Sequence, residues 1–154
     1  MDLALMFVQE LLLSAVAAVG FAMLFNVPPK ALAYCALGGA LGRGLRFWLL
    51  FSGMPIEWAT LLAATAVSAV GVYWARRFRA HPKVFTVAAI IPMIPGKFAF
   101  AAALALFEIK ANGYHPELFA VFVDNVLKAG SITAALAFGL AMPGLLYYRS
   151  RPVV

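Results

Sequence analysis

The stretch that decides the fold is HPKVFTVAAIIPMIPGK, residues 81 to 97. It follows a basic cluster (Arg76, Arg77, Arg79), runs apolar, and is broken at Pro92 and again at Pro95-Gly96 before ending on Lys97. Proline lacks a backbone N–H and clashes with the preceding turn, so a helix here must kink or open. Another apolar run follows at once. Opened backbone at membrane depth is tolerated only where protein or a water-filled cavity covers it. A broken membrane helix with a charge at the break is a usual place for a transport site.

Composition puts this break in a membrane. Of 154 residues, 65% are hydrophobic and 12% are charged. A soluble domain would be roughly half apolar and a quarter charged. Mean hydropathy is +0.95. The length suits four to six spans of about 20 residues, in one membrane domain covering residues 1–154. The net charge of +6 fits loops facing an anionic leaflet, and nucleic acid is not expected as a partner. Cys35 is the single cysteine, which excludes an internal disulfide and a cysteine-based metal site. No basic residue precedes Lys30, so the first apolar run is expected to be a retained span.

Apolar runs and turn residues give five transmembrane helices: residues 4–25, 31–51, 56–74, 84–109 and 118–148. Asn26 to Lys30, Ser52 to Pro55, the basic loop from Arg76 to Lys83, and Asn112 to Pro116 separate them. The fourth span holds the break. The fifth exceeds what a bilayer needs and carries a late interruption at Pro143-Gly144, so it should tilt or bend. Charge supports the count. Five spans place Lys30, Arg76, Arg77, Arg79, Lys83, Arg149 and Arg151 on one side with no acid. Asp2, Glu10, Glu57, Glu108, Lys110 and Glu117 fall on the other. The basic bias predicts an outside N-terminus and a cytoplasmic C-terminus. Two five-span units in tandem necessarily have opposite orientations, so one such unit is the expected half of an inverted-repeat transporter.

Charges within the spans mark candidate sites. Arg43 and Arg46 are three residues apart and share a helix face. They are either interior cations for an anion or guanidiniums bonded to neighbouring carbonyls. Gly38-x-x-x-Gly42 and Ala40-x-x-x-Gly44 allow a close helix approach. Lys97 follows the break. If a helix restarts there, its N-terminal N–H groups and dipole join the ammonium in an anion site. Asp124 and Lys128, four apart in the last span, flank Asn125 and could pair with Lys97. The histidines, His81 and His115, both precede proline in loops. No zinc motif, phosphate-binding loop or nucleophile–base constellation occurs, so no enzyme, metal or cofactor is expected.

Four stretches carry a family resemblance: Gly20 to Pro28 (GFAMLFNVP), Pro55 to Trp58 (PIEW), His81 to Gly96, and Met142 to Leu145 (MPGL) with the basic tail. Together they resemble the YjjB-type small subunits of the threonine/serine exporter (ThrE) superfamily across essentially the whole chain. The most specific part is the spacing of Pro82, Pro92, Pro95 and Gly96. The resemblance implies a subunit of a bacterial inner-membrane exporter, partnered by a larger YjjP-type membrane subunit that supplies the second unit. It associates the split pair with succinate and related dicarboxylates, and the fused type with threonine and serine. The basic interior (Arg43, Arg46, Lys97 and Lys128 against Asp124) points to a dianion such as succinate as the small anionic metabolite. Threonine/serine export is the alternative, and a non-transporting scaffold or assembly subunit is the alternative of another class.

Overall fold

In a computed structural model the described residues are 3 to 149; Asp2 and Arg151 of the charge pattern lie outside them. Proline and glycine chemistry sets most of the boundaries. Helix α1 (Leu3–Leu24) ends where Asn26 takes a left-handed conformation and the Val27 N–H donates to the Ala22 carbonyl. Asparagine tolerates that geometry at a helix C-terminus. Helix α2 (Pro29–Phe51) begins on a proline, whose missing N–H is no loss in the first turn. Gly53 at φ 86° turns the chain into α3 (Ile56–Phe78). That helix closes on Arg79, left-handed at φ 51°, with the Ala80 N–H on the Ala75 carbonyl. Arg76 and Arg77 in its last turn oppose the negative end of its dipole.

The break divides the fourth apolar run. Helix α4 (Lys83–Ile90) passes into a 3-10 turn (Ile91–Met93), and α5 (Gly96–Asn112) starts afresh after Pro95. Pro92 cannot donate to the Ala88 carbonyl, nor Pro95 to the Ile91 carbonyl, so the ladder stops twice within four residues. Gly113 at φ 90° then leads to α6 (Pro116–Arg149), a 34-residue helix. Contrary to the expected interruption, α6 continues through Pro143. A single proline removes one ladder bond, and the bonds on either side carry the helix across it.

No strand occurs among the described residues. Helices α1, α3 and α6 are each long and apolar enough to cross a membrane, and the interrupted α4–α5 run makes a fourth if counted as one span. Helix α2 falls short on hydropathy because of its two arginines and four glycines. Contacts group the chain into two compact units, residues 94–134 and the remainder.

In the larger unit α2 is the central helix, packed by α1, α3 and α4. Its glycines let backbones approach. A Cβ on Gly39 would lie 2.7 Å from Ala18 Cβ and 2.8 Å from the Ser14 carbonyl oxygen; one on Gly42 would meet Val67 and Met93; one on Gly38 would meet Ala89. These pairings run α1 and α3 antiparallel to α2, and α4 parallel to it. Near the start of α2, Tyr34, Trp74 and Phe85 form an aromatic cluster, with Tyr34 and Trp74 centroids 5.1 Å apart. The last part of α6 belongs to this unit, with Gly139 set against Leu61 and Ala64 of α3. In the smaller unit, α5 and the first half of α6 leave Phe100, Phe107, Phe119 and Leu127 exposed. Such apolar faces suit lipid or another membrane helix.

Candidate functional site: a buried arginine at the helix break

The site grows from the packing of α2. Residues 39 and 44 of α2 contact residues 14 and 11 of α1, and this register brings Arg43 to Glu10. The Arg43 Nε donates to Glu10 Oε2 at 2.5 Å, and both side chains are about a third exposed. A carboxylate inside a bundle is costly alone, and a guanidinium across a close helix contact is the natural compensation.

One turn further along α2, Arg46 reaches the break instead. It is 5% exposed. One terminal nitrogen (Nη1) donates to the Met93 carbonyl at 2.7 Å. Met93 ends the 3-10 turn, so the arginine seals a carbonyl at the point where two prolines interrupt the helix. Its Nε is also buried and makes no hydrogen bond among the described residues. Gly42 makes the approach possible: a side chain there would strike the Met93 methyl at 3.0 Å. The parallel packing of α4 on α2 is fixed at its other end by Cys35, whose thiol donates to the Val84 carbonyl at 3.4 Å.

In the smaller unit, Lys97 is exposed on the first turn of α5, its ammonium 4.8 Å from the centroid of the Phe98 ring. Pro95 is buried at that helix start, and Gly96 has open space where a Cβ would be. Lys128 pairs with Asp124 at 2.8 Å within α6, with both side chains largely exposed. Asn125 donates to the Val121 carbonyl of its own helix. Among the described residues the ion pairs are Arg43–Glu10 and Lys128–Asp124, and Lys97 takes part in neither. Of the expected interior charges, then, Arg43 meets an acid on another helix, Arg46 meets the break, and Asp124 and Lys128 meet each other.

Two partners escape a reading of the sequence. Glu10 looks like an N-terminal acid within reach of headgroups, yet it is the partner of Arg43. The signal was the short Asn26–Lys30 turn: Glu10 lies 18 residues before Pro28 at its centre and Arg43 lies 15 after it, so an antiparallel hairpin brings them to nearly the same level. The Met93 carbonyl carries no sequence signal, because its role depends on where α4 docks.

Apolar helices of crossing length, together with a central helix that keeps two arginines among its neighbours, define a multi-pass membrane protein. The family described as "Threonine/Serine exporter, ThrE" matches residues 10–146, and the chain belongs to this family, whose members are transporters. No solved structure matches it.

Proposed function

We propose that this chain is one membrane subunit of a secondary exporter for small carboxylate-bearing metabolites, threonine and serine first. The observation that carries the reading is Arg46. It is a buried guanidinium, held by one bond at an interrupted helix, with a second donor left without a partner. A guanidinium is a good receptor for a carboxylate, because its forked donors match both oxygens. Threonine, serine and dicarboxylates share that group. The family description favours the amino acids.

Arg46 is closed off in this conformation, as alternating access requires of a site between openings. Opening the 3-10 turn releases the Met93 carbonyl and frees the guanidinium for substrate. Lys97, exposed on the first turn of α5, is by itself a candidate cation facing solute. The second reading, succinate and related dicarboxylates, draws on one charge: Glu10 neutralises Arg43, and Arg46 has no acid of its own.

The same proposal includes five spans. Helix α2 has 23 residues, about 34 Å, and is wrapped by its neighbours, so its arginines need not face lipid. The N-terminus is then periplasmic and the C-terminus cytoplasmic in a bacterial inner membrane. A five-span unit needs an oppositely oriented counterpart, here a larger YjjP-type subunit. The exposed apolar faces of α5 and α6 supply surface for it.

Efflux tests this directly. Cells loaded with labelled threonine or succinate are compared with and without this chain, in the presence of the larger subunit. Chain-dependent threonine efflux supports the first reading. Succinate efflux alone moves the assignment to dicarboxylates. Unchanged efflux of both without the chain leaves it a scaffold. Reporter fusions at each terminus check the topology, and a cytoplasmic N-terminus would contradict it.

A further inference from the structure

A cavity of about 730 Å³ lies in the larger unit, between α3, the start of α4 and the end of α6. Its volume is in the range of small-molecule sites, about 300–1,000 Å³. The wall is mostly hydrocarbon, with Val72, Val87, Leu140 and Leu145 among its residues. Its hydroxyls are already engaged: Ser68 donates to the Leu140 carbonyl at 2.7 Å and Thr86 to the Pro82 carbonyl at 3.2 Å. A threonine or a succinate would find few partners along such a wall. Leu145 is 70% exposed, so the cavity opens along α6 to the surroundings of the helix.

One end of this cavity is basic. Lys83 and His81 line it, and Lys83 takes part in neither ion pair among the described residues. Arg76 lies one turn beyond Val72 on α3 and stacks over the Tyr147 ring of α6 at 4.9 Å. Arg77 and Arg79 follow, and no acid occurs between Glu57 and Glu108. A hydrocarbon groove that opens sideways and ends in a cluster of cations matches one ligand class. Basic pockets between membrane helices bind anionic lipid headgroups.

We propose that this cavity is a binding site for an anionic phospholipid, with an acyl chain along α6 and the phosphate at Lys83. The site is separate from Arg46 and does not depend on which solute is exported. The test uses the purified full-length chain in detergent, with bound lipid counted by native mass spectrometry. Phosphatidylglycerol is compared with phosphatidylcholine of the same acyl chains. The expected result is preferential retention of phosphatidylglycerol. Lys83→Gln should weaken it about fivefold, the effect of one cation near a membrane surface, and Lys83→Arg should restore it. Ala141→Trp, which puts an indole into the groove, should reduce retention of both lipids at least tenfold. Equal retention of the two lipids, or no change in Lys83→Gln, would overturn the headgroup assignment. Competition by glycerol phosphate as strong as by the whole lipid would make it a simple anion site and overturn the proposal. Displacement of the lipid by threonine or succinate would make it a solute vestibule, with the same consequence.

Discussion

Gly39→Ala tests whether close approach of α1 and α2 organises the larger unit. The added methyl would sit 2.7 Å from Ala18 Cβ and 2.8 Å from the Ser14 carbonyl oxygen. Ordinary contact between carbons is about 3.5–4.0 Å, so the helices must separate by roughly 1 Å. The Ser14 oxygen is backbone and cannot rotate away. Overpacking of this kind costs about 1–3 kcal/mol. Alanine also favours the helix over glycine by about 1 kcal/mol, so the raw change understates the clash. Gly130→Ala supplies the correction, because it gains the same propensity with nothing within 4 Å of the new methyl. The two variants should therefore differ by about 1–3 kcal/mol, with Gly39→Ala the less stable. At roughly 2–4 °C per kcal/mol for a chain of this size, thermal unfolding of the purified protein in detergent resolves the difference. Equal melting temperatures for the two variants would refute the close approach and the register that brings Glu10 to Arg43.

Other outcomes follow from single contacts. Gly71→Ala should destabilise the chain because its methyl runs into the Thr86 methyl, and adding Thr86→Ser, which removes that methyl, should recover most of the loss in the same melting experiment. Arg79→Gly should raise stability by about 1 kcal/mol, since the left-handed conformation penalises a side chain. A cycle of Glu10→Gln, Arg43→Gln and the double variant should show a coupling of about 0.5–3 kcal/mol. Lys128→Ala should cost no more than about 0.5 kcal/mol, because its partner is an exposed neighbour on the same helix.

Local chemistry made much of this architecture legible. Pro28-Pro29, Pro55, Pro92, Pro95 and Pro116 stop or start helices through a missing N–H, a property of the residue itself. The glycines of α2 announced close packing, but not that Gly39 and Gly44 would face α1, Gly38 α4, and Gly42 both α3 and the 3-10 turn. Pro143 shows the opposite limit. Its lost bond looked like an interruption, and the long helix absorbs it. The candidate site was legible in its parts and not in its pairings. Arg43, Arg46 and the break all stood out as oddities in an apolar chain. That Arg46 meets the break is a tertiary fact, created by α4 docking parallel to α2 across the gap left by Gly42. Lys97, Asp124 and Lys128 could be grouped by charge alone, but spacing along α6 already satisfies two of them.

The most direct test of the central claim is efflux of labelled threonine by cells expressing Arg46→Gln beside its larger partner, with membrane abundance matched to wild type. Glutamine keeps a donor for the Met93 carbonyl but loses the charged fork that receives a carboxylate. The account predicts at least a tenfold loss of efflux, the scale of about 1.4 kcal/mol or more in a charge-assisted contact, while Lys128→Ala retains wild-type export. Full efflux by Arg46→Gln at equal abundance would show that the buried arginine only braces the break, and the substrate site would have to be sought elsewhere.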